Sequence, residues 1–508
     1  MTVPEATASP ARMAAIERLL LLGQPFLLAL GLILARWTAE ATTIETLLRP
    51  AMVVLALTAV ALIGMRLVIR SSAWAALLCD GLVLFTFREL WPAMLIAVVA
   101  MSWLVFIGLR RISNRTRPDV RTPRATARAT GIFSSVFLVV MSVAAARGAL
   151  VEPPWMHLPE YDIAGNGGPN VYVLLLDGYP RADTLEDTFG FDNGVFVGAL
   201  EEQGFSISDE ARTNYNKTWL TLASALNGAY IDELLGDQRP PADATDELRW
   251  LHALINAGSV LDAFRDRGYA IRTVPSPYTS TAVTTADEYL ATGHLTEFEV
   301  HLVAASPWTF FFRDQVASYL FAGQAQQVID TLQTTSDLAE SRSAKPQLVL
   351  SHVHSPHTPF VLSPVHAEEP PIPACFPSVC TFWEARLDKL ALSFDEYRTG
   401  LSNQIEALNT LVLSTVRDIV AVDPDAVIIL MSDHGTRYSL DDLPEQYRSF
   451  LAARTPGADG LFPPDESPVN IFRRLMAAYF GADIQPLPYR AWELDWAFNL
   501  RLTPMPED

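Results

Sequence analysis

The chain has 508 residues, half of them hydrophobic, with 37 Lys and Arg against 57 Asp and Glu. A single hydrophobic core rarely grows beyond about 250 to 300 residues, so more than one domain is expected. Residues 151–508 hold 50 Asp and Glu against 22 Lys and Arg. This negative balance argues against nucleic acid as a partner, because phosphate backbones are bound through Lys and Arg.

The first 150 residues are a series of apolar runs, most of which approach the roughly 20 residues that cross a hydrocarbon core. They predict a membrane domain over 1–150 with about five transmembrane helices. Membrane lipid is therefore an expected partner of the chain. One run is weaker than the others, since it is short and carries Asp80, an ionisable residue that a bilayer disfavours. The five runs lie at 14–35, 50–69, 72–87, 91–109 and 131–149.

The Arg residues beside these runs predict an orientation, because cations prefer the cytoplasmic side of a membrane. Three basic clusters fall on one side only if there are five spans and the N-terminus is cytoplasmic. The part of the chain after the last span then lies outside the cytoplasm, periplasmic or extracellular, anchored in a cell inner membrane or plasma membrane. An Arg-rich tail that binds nucleic acid or lipid is the alternative interpretation of the third cluster. The clusters are Arg12 with Arg18, Arg66 with Arg70, and seven Arg between 110 and 128.

A Pro-containing connector follows the last span, and we assign residues 151–168 to a linker and 169–508 to a catalytic domain. In that domain Cys375 and Cys380 bracket four residues, and outside the cytoplasm they can form a disulfide or remain two free thiols. The third cysteine, Cys79, lies in a predicted span.

Three continuous apolar runs after residue 169 predict strands that are buried on both faces. Helical spacing of apolar residues lies between them, at 218–235, 246–267 and 397–420. The predicted fold class is therefore α/β, with N-terminal transmembrane helices followed by a three-layer α/β/α domain. Each strand ends in polar residues, and ligand sites in such sheets collect at the carboxyl ends of the strands. The ends are Asp-Gly at 177–178, Ser-His-Val-His-Ser-Pro-His at 351–357, and Ser-Asp-His-Gly at 432–435.

Asp177, Asp433 and His434 are the residue types that bind one divalent metal ion, with Mn²⁺ or Zn²⁺ favoured over Mg²⁺ or Ca²⁺. The alternative for the Asp-Gly pair is an ordinary turn. Three His lie within six residues, at 352, 354 and 357, and they could form a metal cluster of their own or a polar loop.

These motifs resemble the alkaline phosphatase superfamily, and within it the sulfatase-like membrane proteins that include lipoteichoic acid synthases and phosphoethanolamine transferases. The resemblance covers roughly residues 168 to 482, and Ser-Asp-His-Gly is its most specific part. It implies an alkaline phosphatase-like domain in which Asp177, Thr218, Asp433 and His434 bind the metal, Thr218 is also the nucleophile, and His357 contacts the substrate phosphate. The other motifs are Leu-Asp-Gly-Tyr-Pro-Arg at 176–181, Asn-Tyr-Asn-Lys-Thr at 214–218, Leu-Ala-Ser at 222–224, and His-Val-His-Ser-Pro-His-Thr-Pro-Phe at 352–360.

Thr218 opens an apolar helical run, where the helix dipole favours an incoming phosphate; a plain N-cap is the alternative role. Thr221 is the rival nucleophile, one turn inside the helix. His352 and Arg181 are further candidate substrate contacts, and for Arg181 a surface ion pair is an equal alternative.

The expected function is a metal-dependent phosphoryl-ester transferase or phosphodiesterase that acts outside the cytoplasm on lipid head groups or envelope glycans, through two displacements at phosphorus. Sulfate ester hydrolysis is disfavoured, since no Cys lies in the Cys-x-Pro-x-Arg context from which sulfatases make formylglycine. The alternative is a catalytically silent protein that binds or senses the envelope on the same fold.

Overall fold

The computed structural model describes most of the chain, in two compact units. One unit contains Met1–Glu152 and Ala305–Phe311, and the other contains Pro153–Ala304 and Phe312–Asp508. The described residues are 10–39, 45–87, 123–149, 156–163, 165–236, 244–341, 345–365, 367, 372, 374–377, 387–439, 443–494 and 502–505. The predicted domain limits, including the linker at 151–168, stay predictions.

The first unit is built from apolar helices. Three of them contain segments long and apolar enough to cross a membrane, Leu20–Thr38, Thr46–Val68 and Ala127–Arg147, and Ser72–Thr86 is a shorter apolar helix. These segments support a membrane location, whereas the predicted run at 91–109 lies outside the described residues, so the number of spans stays a prediction. The helices are α1 (Pro10–Ala39), α2 (Glu45–Val68), α3 (Ser72–Thr86) and α4 (Pro123–Ala149).

Asp80, the ionisable residue that made the third run weak, is buried in α3 and has a partner. The Nε2 of Gln24 in α1 donates a hydrogen bond of 2.8 Å to its carboxylate. An intramembrane carboxylate is costly unless it is paired, so this bond explains how α3 tolerates the residue and joins α3 to α1.

The second unit is an α/β fold, which confirms the predicted fold class. Its seven-stranded sheet has the order β2-β7-β6-β1-β5-β3-β4, with a parallel centre and an antiparallel edge formed by β7 and β2. A separate hairpin pairs β8 with β9. The strands are β1 (Val171–Leu176), β2 (Ser206–Ile207), β3 (Ala270–Val274), β4 (Glu288–Tyr289), β5 (Gln347–Val353), β6 (Val427–Met431), β7 (Leu451–Arg454), β8 (Trp492–Leu494) and β9 (Leu502–Pro504).

Both faces of the sheet are covered, and every residue of the central strands β1 and β6 is hydrophobic and buried, as expected for strands that lie between two layers. In β1, Val171, Val173 and Leu175 pack into one core, while Tyr172, Leu174 and Leu176 pack into a second core on the opposite face. This alternation is the period of two expected of a strand. The sheet therefore lies between two helical layers, as the three-layer prediction required.

The helices of the α/β part agree with the predicted helical segments except at two glycines. The segment 218–235 is divided at Gly228, whose φ of +57° ends the first helix in the left-handed region that glycine favours. The segment 246–267 is divided at Gly258, where a Cβ would lie 2.8 Å from the Leu226 carbonyl oxygen. The helices are α5 (Ala182–Phe189), α6 (Gly194–Glu202), α7 (Thr218–Asn227), α8 (Ile231–Leu235), α9 (Ala244–Asn256), α10 (Ser259–Asp266), α11 (Glu297–Ala305), α12 (Trp308–Phe311), α13 (Arg313–Glu340), α14 (Leu387–Leu390), α15 (Phe394–Val422) and α16 (Pro468–Phe480).

The two described cysteines, Cys79 and Cys375, differ in oxidation state. Cys375 is disulfide-bonded, and Cys79 is a free, buried thiol in α3. Cys380 lies outside the described residues.

Candidate metal centre

Two neighbouring strands deliver the candidate metal ligands. Asp177 directly follows β1, and Asp433 and His434 follow β6, which pairs with β1 in parallel. The carboxyl ends of parallel strands meet at one edge of a sheet, so residues far apart in sequence come together there. All three side chains are buried, and one ligand atom from each lies within 4.8 Å of the others.

Asp433 is held in place from both its backbone and its side chain. The backbone N–H of Gly178 donates to its Oδ1 at 2.9 Å. The hydroxyls of Thr213 and Thr221 donate to its carbonyl oxygen at 2.7 and 2.8 Å. Thr221, the rival nucleophile, is thus engaged in positioning Asp433.

His434 presents an unprotonated nitrogen to the same point. Its Nδ1 lies 2.7 Å from the carbonyl oxygen of Gly435, which accepts a hydrogen bond only from an N–H, so Nδ1 carries the proton. Nε2 then has a lone pair and lies 3.3 Å from Asp433 Oδ2 and 3.7 Å from Asp177 Oδ1. Burial, followed by the charge of Arg437, lowers the pKa of His434 to about 3, which keeps the ring neutral.

Three acceptor atoms consequently face one another without a donor. Asp177 Oδ1, Asp433 Oδ2 and His434 Nε2 are buried and have no hydrogen-bond partner. Buried polar atoms without partners cost free energy, and three convergent lone pairs with carboxylate charge are satisfied together by a cation. The donor set of two carboxylates and one imidazole fits a divalent metal ion.

The two carboxylates titrate differently because they face each other. Burial and then the charge of Asp177 raise the pKa of Asp433 to about 7. Burial would also raise the pKa of Asp177, but the neighbouring imidazoles, His357 first, outweigh it and lower that pKa well below the usual Asp value. In the metal-free site near neutral pH, one proton is therefore held mainly on Asp433.

We expect metal binding to release this proton, so the number of protons released will depend on pH. A carboxylate with a pKa of about 7 gives up about 0.9 proton at about pH 6 and about 0.1 at about pH 8, a difference of about 0.8 proton. The metal affinity falls as the pH drops through 7, because the metal must displace the proton. Isothermal titration calorimetry with Zn²⁺ in buffers of different ionisation enthalpy measures the release, and equal release at both pH values would contradict the assignment.

The three His of the 352–357 segment have separate roles. His352, in β5, donates through Nε2 to the second oxygen of Asp177 at 3.1 Å. His357 donates from Nδ1 to the Thr358 carbonyl at 2.7 Å and accepts from the Arg437 guanidinium at Nε2, at 2.9 Å. His354 stacks on His357 with ring centroids 5.1 Å apart. Both nitrogens of His357 are used, so the three His do not form the separate metal cluster considered from the sequence.

Thr218 is the first residue of α7, and its side chain hydrogen-bonds the Asp433 carboxylate. The hydroxyl therefore lies beside the three convergent acceptors, and the first amides of a ten-residue helix follow it. Lys217, the preceding residue, is 2% exposed and close enough to lower the pKa of His434. The site thus combines a hydroxyl, a helix N-terminus and a buried cation.

Arg181 takes the ion-pair alternative. Its guanidinium donates to both carboxylate oxygens of Asp183, at 2.7 and 2.6 Å, and to the Ala211 carbonyl. The structure does not bring it into contact with the three acceptors.

The sequence missed residues that complete the site. Arg437 lies only three positions after His434, so a cation close to a ligand motif was the available signal. Tyr278 and Thr281 come from a segment without a recognisable motif; the Tyr278 ring meets His354 edge-on, with centroids 4.7 Å apart, and Thr281 contacts His352 Nδ1 at 3.3 Å. Their positions depend on the path of a loop, which no local pattern encodes.

No protein-family model and no curated protein matches the chain. Solved structures do match. The C-terminal periplasmic domain of EptC from Escherichia coli in complex with Zn is 13% identical, with 69% of this chain and 96% of that chain covered and a TM-score of 0.42. The lipooligosaccharide phosphoethanolamine transferase A of Neisseria meningitidis is 11% identical (88% and 77% covered, TM-score 0.40), and a phosphonate monoester hydrolase of Agrobacterium radiobacter is 15% identical (62% and 74%, TM-score 0.38). At these values the likeness does not carry an activity over to this chain.

Proposed function

We propose that this chain is a metal-dependent enzyme that cleaves or transfers phosphoryl esters, with Thr218 as the nucleophile. The observation that carries the proposal is the group of three buried, partnerless acceptors with the Thr218 side chain bonded to one of their carboxylates. Asp177, Asp433 and His434 would hold the metal, with the Thr218 hydroxyl as the fourth ligand. Two carboxylates with a neutral imidazole favour Zn²⁺ or Mn²⁺ over Mg²⁺ or Ca²⁺.

The chemistry follows from the position of the hydroxyl. A bound divalent cation lowers the pKa of a neighbouring hydroxyl and screens phosphoryl oxygens. Thr218 Oγ1 attacks phosphorus and forms a new P–O bond, while the P–O bond to the ester alcohol breaks. The hydroxyl proton of Thr218 is transferred to the leaving oxygen, which departs as the alcohol, and a phospho-Thr218 remains. Water or an acceptor hydroxyl then displaces Thr218 Oγ1 and takes the phosphoryl group, so hydrolysis and transfer differ only in this second step.

The residues around Thr218 favour an anionic substrate. Thr218 is the first residue of α7, and the N-terminus of a helix favours an anion such as a phosphoryl group. Lys217 and Arg437 add two buried positive charges, and His357 holds one guanidinium nitrogen of Arg437. We assign Arg437 to the equatorial phosphoryl oxygens and His357 to positioning Arg437, a change from the direct phosphate contact expected for His357.

The membrane-length helices favour lipid head groups or envelope glycans as substrates, with the site outside the cytoplasm. A sulfate ester is disfavoured, because the proposed nucleophile is a Thr and no Cys of the sequence lies in the Cys-x-Pro-x-Arg context from which formylglycine is made. Cys79 lies in α3 and Cys375 is disulfide-bonded.

The test is cleavage of bis-p-nitrophenyl phosphate by the full chain in detergent, with p-nitrophenyl sulfate as the comparison. We expect metal-free protein to be inactive, Zn²⁺ or Mn²⁺ to restore cleavage of the phosphate ester, and the sulfate ester to stay intact. Tight metal binding without cleavage of any phosphate ester would instead support a silent binding protein. Preferential cleavage of the sulfate ester would contradict phosphoryl specificity.

Replacing Arg437 by Gln should lower kcat of the phosphodiester reaction by about 10²-fold, because a buried donor aimed at developing charge is lost. The metal content should stay the same, since Arg437 is not a ligand. Steady-state kinetics and metal analysis measure both. Arg181→Gln is the matched control, as that guanidinium pairs with Asp183, and an equal loss in both variants would contradict the assignment.

A further inference from the structure

The surface around α12 carries an unusual density of exposed aromatic side chains. Trp308, Phe310, Phe311 and Phe312 are 59%, 71%, 70% and 50% exposed, and Tyr319 in α13 is 58% exposed. Soluble surfaces rarely expose contiguous apolar patches of this kind, and larger ones mark binding to protein or membrane.

In the segment 308–312 the apolar rings are exposed and a polar side chain is buried, the reverse of an ordinary surface turn. Thr309, in the middle of the aromatic residues, is 5% exposed and donates its hydroxyl to the Ser306 carbonyl at 2.7 Å. The polar side chain thus faces inward and the rings face outward. Local folding does not require this arrangement, so the outward rings point to an apolar or interfacial surrounding.

The compact unit to which most of this segment belongs indicates that the surrounding is a membrane. Ala305–Phe311 belongs to the same compact unit as the three membrane-length helices, although more than 150 residues lie between it and the last of them. Trp and Phe are favoured at the boundary between lipid head groups and acyl chains, where an apolar ring is desolvated and a polar backbone stays wet. The neighbouring charges, Arg313 and Asp314, form an ion pair of 3.3 Å and add no net charge.

We propose that Trp308, Phe310 and Phe311, which belong to the unit of the membrane-length helices, form an interfacial anchor that inserts into the head-group and upper acyl region of a phospholipid bilayer. The bilayer is the one that holds the helices of the same chain. This inference rests on the membrane-length helices and the aromatic surface, and it is independent of the chemistry at Thr218.

Depth-dependent fluorescence quenching tests the proposal in the full chain. Phe310→Cys and Phe311→Cys are labelled with an environment-sensitive dye and reconstituted into phosphatidylcholine nanodiscs, with and without a lipid that carries a doxyl group near the glycerol end. Val195→Cys is the matched control, because Val195 is 86% exposed on α6 and lies outside the anchor. Labelled wild type gives the background from the native cysteines.

We expect blue-shifted emission at 310 and 311 and doxyl quenching at least about threefold stronger than at 195, as for side chains inserted at a membrane interface. Equal quenching at all three positions would overturn the proposal. Blue-shifted emission without doxyl quenching would also overturn it, since a second copy of the chain or another protein would then cover the rings. Zn²⁺ binding by each variant shows that the fold is kept.

Discussion

Replacing Asp433 by Asn is expected to remove the metal and at least about 10³-fold of the phosphodiester activity, because the site loses both a ligand and the charge that balances the cation. The fold should survive. Asn keeps an oxygen that accepts from the Gly178 N–H, as Asp433 Oδ1 does at 2.9 Å. Its amide nitrogen would replace Oδ2, which lies 3.3 Å from His434 Nε2.

This substitution also has an unusual consequence for stability. The new N–H₂ donates to acceptors that have no partner in the metal-free wild type, and a carboxylate that faces Asp177 disappears. Both changes favour the folded state above about pH 7, where Asp433 is ionised. Metal-free Asp433→Asn should therefore melt at a higher temperature than metal-free wild type at about pH 8. Wild type should gain about 2.7 kcal/mol at a metal concentration about 100-fold above Kd, and the variant should gain nothing.

Thermal unfolding of the full chain with and without Zn²⁺, together with metal analysis, measures both effects. Asp183→Asn is the matched control, since Asp183 pairs with Arg181 and not with the three acceptors. That control should keep its metal and its metal-dependent stabilisation. If Zn²⁺ stabilises Asp433→Asn as strongly as wild type, Asp433 is not a ligand.

The part of the site that follows sheet geometry could be predicted from the sequence. Asp177, Asp433 and His434 end strands whose unbroken apolar character marks them as central and parallel, so their convergence follows from the fold class. The three acceptors without partners are the structural counterpart of that expectation. Their assignment as ligands stays a prediction until a metal is measured.

Other contacts in the site could not be predicted from the sequence. They depend on the paths of loops and on which of several possible hydrogen-bond partners a side chain takes. His357 could have contacted substrate directly, but its Nε2 accepts from Arg437, a pairing that only the path of the loop after β6 reveals. Arg181 had two equal interpretations, and the structure shows its ion pair with Asp183, whereas a substrate contact stays a prediction. The division of 218–235 follows from one glycine whose φ a helical pattern does not show.

The expected result for Thr218→Ala is a protein that binds metal but does not cleave phosphodiesters. Loss of a nucleophile costs about 10³- to 10⁶-fold in kcat, whereas three of the four proposed ligands remain. The variant should therefore bind Zn²⁺ less tightly than wild type but still in equal stoichiometry. Thr218→Ser is the matched control, because it keeps a hydroxyl at the first position of α7.

The N-cap of α7 is Lys217, so the N-cap role considered for Thr218 is wrong. Two measurements separate a nucleophile from a residue that only supports the start of the helix, because such a residue does not form a covalent adduct. Rapid acid quenching during turnover, followed by mass spectrometry, should find a phosphoryl adduct on residue 218 in wild type and in Thr218→Ser but not in Thr218→Ala. An alanine variant that retains turnover would remove Thr218 from the mechanism. Thr221 would not replace it readily, because its hydroxyl already donates to the Asp433 carbonyl at 2.8 Å.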